Sequence, residues 1–231
     1  GVATGFRHVE REPEAAVLLK VKGQRGHVVV KYVRVSVSSL NSGDVFVLGD
    51  GKRVWKWVGR EANVSEKSVG EAVGRALQGS YGGGATLEVI DEGVDDTDTE
   101  FWQALGGNNV SCLSIFDRVR PPQGKDDVYA AKEGFPCLYK LSDRGWFSSG
   151  QLKFSKQRSV SRGALDSRDV FVLDNGCEVF IWVGKTASGQ GKQRAFFFAQ
   201  HYMERNNRPA FLPLSTLNEG AESPRFLAVL A

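Results

Sequence analysis

The chain has 231 residues, 30 basic and 27 acidic, for a formal net charge of +3, with 41% hydrophobic and 10% aromatic content. That apolar share excludes a mainly disordered chain, and no apolar run approaches the roughly 20 residues that a membrane-spanning helix needs. The balanced charge gives no case for nucleic acid, and the length suits two domains of roughly 100–120 residues each. Gly1 is not a methionine, which suggests a fragment or a processed product, and no signal peptide is visible. Cys112, Cys137 and Cys177 show no metal-like spacing. Such an odd, sparse count fits a reducing, cytosolic setting.

The first expected element is a basic strand region. Lys20, Lys22, Arg25, Lys31 and Arg34 lie in LLKVKGQRGHVVVKYVRV, with Arg7 and His8 upstream. Cations alternating with Val and Leu suit a strand that shows one charged face. That face is either simply solvated or binds an acidic partner, such as a filament surface or anionic lipid headgroups. Residues 44–59 follow, reading DVFVLGDGKRVWKWVG. The two apolar runs flank Asp50-Gly51, a dipeptide that favours a tight hairpin turn. Near-continuous apolarity means that both faces of the hairpin are covered, so it belongs in a sheet packed between helices. Next, Val69, Ala72, Val73, Ala76 and Leu77 recur at helical spacing. Asn63 and Glu66 resemble a capping box at the start of this helix. Gly82-Gly83-Gly84 lacks a following Lys-Ser/Thr and reads as a helix-to-strand turn rather than a phosphate cradle. Residues 106–135 are rich in Gly, Pro, Asn, Asp and Lys and read as a linker, with Cys112–Val119 a candidate strand.

Residues 169–184 then read DVFVLDNGCEVFIWVG, the earlier block again at an offset of 125 residues from Asp44 to Asp169. Such a period is too long for a solenoid and natural for a duplicated domain. Asn175-Gly176 takes the turn, and Ser188 caps a second helix with Ala195, Phe198, Ala199, Tyr202 and Met203 on one stripe. At roughly 100° per residue Phe197 falls about 160° from that stripe, which leaves contact with another domain or partner open beside simple exposure.

Enzyme signatures are poor. His8, His27 and His201 are scattered, without HExxH, GxSxG or a Walker loop, so the expectation is a protein that is not an enzyme. Asp44 and Glu66 are the informative carboxylates. Asp44 opens a buried strand, where an ionised group is costly unless paired or metal-bound, and Glu66 points toward the apolar helix face. Two readings stay open for them. They are a strand-edge cap and a helix cap, or, with the carbonyl of Gly43, a hard-oxygen cation site of the kind calcium accepts.

The paired DVFVL…G..V..WVG blocks, the segment EFWQALGG at 100–107 and the terminal EGAESPRF at 219–226 resemble gelsolin-type repeats, as found in gelsolin, villin and severin. The opening GVATGFRHV resembles the lead from that family's first domain into its second, so the register is that of repeats two and three with the first absent. The resemblance implies an α+β chain of two repeats, each a mixed central sheet between one long and one short helix. Residues 1–110 and 133–231 would form the repeats and 111–132 the linker. It implies actin binding, filament-side binding in particular, and regulation by Ca2+. The ligands would be Gly43, Asp44 and Glu66, completed by Asp127 from the linker.

In the second copy Asp169 is kept, but the same offset carries Glu66 onto Gly191, so a site there should be weak or lost. The cysteine pair of some secreted gelsolins would fall at Val45 and Val58, and its absence agrees with a cytoplasmic, cytoskeleton-associated protein. Actin or phosphoinositides would meet Arg7, Lys20, Lys22, Arg25, Lys31, Arg34 and Arg75. Two other readings remain: a self-contained two-domain capping or monomer-binding protein, and a phosphoinositide-binding adaptor.

Overall fold

A computed structural model of the chain describes residues 15–82, 84–94, 98–106, 119–142 and 153–231. Arg7, and all of the candidate strand at 112–119 except Val119, lie outside them.

The first sheet is built from β1 (Val17–Gln24), β2 (His27–Val33), β3 (Val45–Gly49), β4 (Arg53–Val58) and β5 (Thr86–Asp91). Their spatial order is β2-β1-β3-β4-β5, antiparallel except for the β4–β5 pair. The 17-residue helix α1 (Val64–Ser80) is the crossover that a parallel pair requires. A short helix, α2 (Thr99–Ala104), follows β5. Side chains alternate across the sheet. Val45 and Val47 pack with Val73 and Leu77 of α1, while Phe46 and Leu48 pack with Phe101 and Trp102 of α2. Both faces of β3 are therefore buried, as its unbroken apolar run demands.

The linker is not featureless. Arg120 lies beside Asn41 as a parallel bridge, and a helix the sequence reading missed, α3 (Asp126–Lys132), packs on β1 and β2. Two turns inside a Pro- and Gly-rich stretch give too little periodicity to stand out.

The second sheet contains β6 (Cys137–Ser142), β7 (Lys153–Lys156), β8 (Val170–Asp174), β9 (Val179–Val183) and β10 (Leu214–Asn218). Its order is β7-β6-β8-β9-β10, again with one parallel pair at the edge. The long helix α4 (Gly189–Arg205) and the short helix α5 (Pro224–Val229) complete it. The duplication reaches individual rings. Phe46 pairs in register with Trp57, and Phe171 with Trp182, each at 5.8 Å between centroids. Each repeat is thus an α+β unit with a mixed sheet between one long and one short helix.

One helix face differs from expectation. The buried stripe of α1 is Glu66, Gly70, Val73, Gly74 and Leu77, and Ala72 is exposed. The glycines rotate the stripe because they admit close approach to the sheet: a Cβ on Gly70 would stand 2.6 Å from Cγ1 of Val45. In α4 the five expected residues are all buried, and Phe196 and Phe197 stand on the outer face, 55% and 51% exposed.

The two repeats share one apolar cluster, in which Val28 and Val30 of β2 join Val172, Val179 and Tyr202. At the junction the Val30 amide donates to the Gly176 carbonyl at 2.9 Å. Gly176 has φ of +104°, and a Cβ there would lie 2.8 Å from the Val28 carbonyl oxygen. Arg208 closes the seam, donating to the carbonyls of Val30 and Gly176 at 2.8 and 2.6 Å and to the carboxylate of Asp174 at 2.8 and 3.3 Å.

Candidate metal centre

The site forms where α1, β3 and the linker helix meet. Asn63 caps α1 by accepting from the Glu66 amide, and Glu66 Oε2 accepts in return from the Asn63 amide, each at 3.0 Å. The other oxygen, Oε1, accepts from the Gly23 amide at 2.9 Å. Glu66 is therefore a cap, and it is also fully buried beside Asp44, so the two readings left open by the sequence are compatible. Asp44 precedes β3 and is held by three donors: Lys22 at 2.7 Å, Lys20 at 2.8 Å and the Asn41 amide nitrogen at 2.7 Å.

The third carboxylate comes from the start of α3. It is Asp126, which accepts from Lys22 at 2.7 Å and from Asn63 at 3.0 Å. The position singled out beforehand, Asp127, is exposed on the same turn and lines a cleft of about 440 Å3 that opens beside the cluster. Gly43 lines the same cleft, packed against Pro122. A Cβ on Gly43 would stand 2.8 Å from Cβ of Pro122, so the linker passes this close only over a glycine. One oxygen from each of Asp44, Glu66 and Asp126 lies within 4.8 Å of the others, and among the described residues this is the one such acidic group.

Burial above all, opposed by its two amide hydrogen bonds and helped by the nearby Asp126 and Asp44, leaves the Glu66 carboxyl pushed up to about 7. Burial disfavours the Lys22 ammonium, but its bonds to Asp126 and Asp44 outweigh that and leave its pKa raised. The chemistry of the donors suits a hard cation, since calcium takes carboxylate oxygens readily. A cation already stands among them in the form of the Lys22 ammonium, 2% exposed and shared by two carboxylates.

The second repeat keeps only part of this. Asp169 pairs with Lys140 at 2.5 Å. Lys140 opposes Phe171 as Lys20 opposes Phe46, so this pair is the counterpart of Lys20–Asp44. Two residues beyond Lys140, where Lys22 would fall, the sequence has Ser142. Gly191 stands in the place of Glu66, its amide donating to the capping Ser188 at 3.0 Å.

The basic face differs most from its expectation. Lys20, Lys22 and Lys31 do not form an open patch, because α3 covers the first two and Lys31, 35% exposed, stands at its edge. Their ammonium groups lie 5.4–5.6 Å from the centre of the Tyr129 ring, and Lys31 pairs with Glu133 at 2.8 Å. The alternation of cations was legible, but the helix that neutralises it comes a hundred residues later. Arg25 and Arg34 are exposed. Arg75 is 69% exposed and pairs with Glu71 one turn back on α1.

A duplicated α+β unit with a three-carboxylate centre in one copy defines a tandem-repeat protein with a single candidate cation site among the described residues. The chain belongs to the gelsolin repeat family, whose model matches residues 26–94 and 155–227. It is 34% identical to gelsolin of Drosophila melanogaster over 98% of its own length and 28% of that protein's. It is 32% identical to gelsolin-like protein 2 of Lumbricus terrestris, over 100% of this chain and 58% of that one. It is also 29% identical to the actin depolymerising venom protein gelsolin 1 of Platymeris rhadamanthus, over 98% and 59%. The chain thus spans less than two thirds of the length of these relatives. No helix among the described residues is long and apolar enough to cross a membrane.

Proposed function

We propose that this chain is a calcium-regulated, actin-filament-binding pair of gelsolin repeats, acting as a side-binding part of a severing or capping protein in the cytoskeleton. The observation that carries the calcium half of this reading is the convergence of Asp44, Glu66 and Asp126 in the first repeat, the one such group among the described residues. Family membership across both repeats, and a relative named for actin depolymerisation, support the actin half.

Asp44, Glu66 and Asp126 would hold the ion, with the Gly43 carbonyl and Asp127 at the adjoining cleft as further oxygen donors. Calcium would supply a charge that draws two buried carboxylates and the half-buried Asp126 together and ties the linker to α1 and β3. The chain's own contribution is orientation: Asn63 fixes Glu66 through the capping box, and Asn41 fixes Asp44.

For the filament, exposed Arg25, Arg34 and Arg75, with half-exposed Lys31, are the accessible cations of the set among the described residues, whereas Lys20 and Lys22 lie under α3. The same cover weakens the case for phosphoinositide headgroups on those lysines. Co-sedimentation with filamentous actin, in calcium and in chelator, tests the reading. The chain is expected to pellet with filaments more in calcium, and the absence of pelleting in both conditions refutes it. Calorimetry on Glu66→Ala should lose one calcium-binding event.

A further inference from the structure

We infer that Lys22 is a tethered cation that competes with the divalent ion and sets the concentration at which the first repeat loads. The inference rests on the calcium reading of that site. Its basis is where the ammonium sits. Lys22 Nζ is 2.7 Å from an oxygen of Asp44 and 2.7 Å from an oxygen of Asp126. A calcium ion bonded to the same two oxygens at roughly 2.3–2.6 Å would compete with the ammonium for them and repel it at close range. The group is almost fully buried, so water cannot screen it from a divalent neighbour. Loading therefore requires Lys22 to leave, and the ion's apparent affinity is lower by the strength of the bonds that Lys22 gives up.

Comparing the repeats separates this lysine from the one beside it. The Lys20–Asp44 pair has a counterpart in Lys140–Asp169, so it belongs to the shared fold. Lys22 has none, and neither does Glu66: serine and glycine stand at those positions. The extra cation and the extra carboxylate occur together or not at all. Counter-ion duty explains that pairing, because without Lys22 or a metal the buried Asp44 and Glu66 and the half-buried Asp126 would have only Lys20, on Asp44, as a cationic partner. Lys22 also faces the Tyr129 ring at 5.6 Å, so its head group is held from the linker side as well as the sheet side.

The test compares calcium calorimetry on the full chain with that on Lys22→Met and on Lys22→Gln, the second retaining a hydrogen-bond donor should the first fold poorly. Both variants are expected to bind calcium at least tenfold more tightly. In the unmodified chain, the 1H–15N correlation of the Lys22 ammonium, slowed in exchange by its burial, should disappear from its position as one equivalent of calcium is added. Equal or weaker calcium binding by both variants overturns the inference, as does a Lys22 signal that persists in the loaded protein. Glu66→Gln separates the two levels of failure. If the wild type binds calcium, Glu66→Gln does not, and the Lys22 variants bind no tighter, the site stands and the role of Lys22 falls. If no form binds calcium, the site reading falls and takes the inference with it.

Discussion

Replacing Arg208 with methionine probes the seam between the repeats. Arg208 is 7% exposed, and its guanidinium donates four hydrogen bonds, two to Asp174 and one each to the carbonyls of Val30 and Gly176. It also lies over the Phe135 ring, 4.6 Å from the centroid. Methionine keeps much of the stem's volume but removes every donor. Breaking one side of a buried ion pair costs about 3–5 kcal/mol, because the surviving charge stays buried without compensation. Asp174 would keep the Tyr202 hydroxyl and the Gly176 amide as partners, which places the expected loss toward the lower end of that range. Burial already raises the Asp174 pKa, with Arg208 opposing it. A raised carboxylate pKa favours the folded state at low pH and loses that contribution as pH rises through it. The deficit of Arg208→Met should therefore be larger at pH 8 than at pH 5. Urea unfolding followed by tryptophan fluorescence at both pH values measures it. A loss below about 1 kcal/mol at pH 8 would refute the assignment of Arg208 as the electrostatic closure of the seam. So would an equal loss at the two pH values.

Other consequences can be checked alongside. Gly176→Val forces a β-branched side chain into a left-handed conformation and against the Val28 carbonyl, and should lower stability by about 2 kcal/mol or more in thermal melts. Because burial holds the Glu66 pKa at about 7, its contribution to stability in chelator is complete below about pH 4.5 and fades as pH climbs through 7. Glu66→Gln should flatten that slope between pH 5 and 8 in urea titrations. Asn63→Ala removes the α1 cap and the bonds to Asp126 and the Gly23 carbonyl. It is expected to cost about 1–2 kcal/mol and to weaken calcium binding measured by calorimetry.

The repeat, both hairpins and both long helices were legible because they are written in local patterns. DVFVL announces a strand covered on both faces, and Asp50-Gly51 and Asn175-Gly176 announce turns whose glycines do adopt positive φ. Asp44 and Glu66 were legible for a different reason: an acid where the period calls for an apolar residue marks a polar group that needs a partner. What stayed hidden depends on distance along the chain. No local pattern shows that Lys22 would be buried, since its partner Asp126 comes 104 residues later. Asp126 and Asp127 are adjacent on the first turn of α3, and only the fold shows that Asp126 faces Asp44 and Glu66 while Asp127 lines the neighbouring cleft. Arg208 met the first repeat across 178 residues of sequence, with only an arginine near a helix end to hint at it. The tilt of α1 toward Gly70 and Gly74 was readable in principle, because glycines on the inner face of a helix signal close approach.

The covering of Val30 has a consequence for how the protein can fail. β2 is the outermost strand of its sheet, and its sequence, HVVVKYV, is rich in β-branched residues. In the assembled chain the amide and carbonyl of Val30 are both taken by the second repeat. Any event that pulls the repeats apart uncovers those groups in the middle of an exposed, strongly strand-forming edge, the kind of template on which other chains add. The second repeat therefore covers the first along the edge most open to self-association.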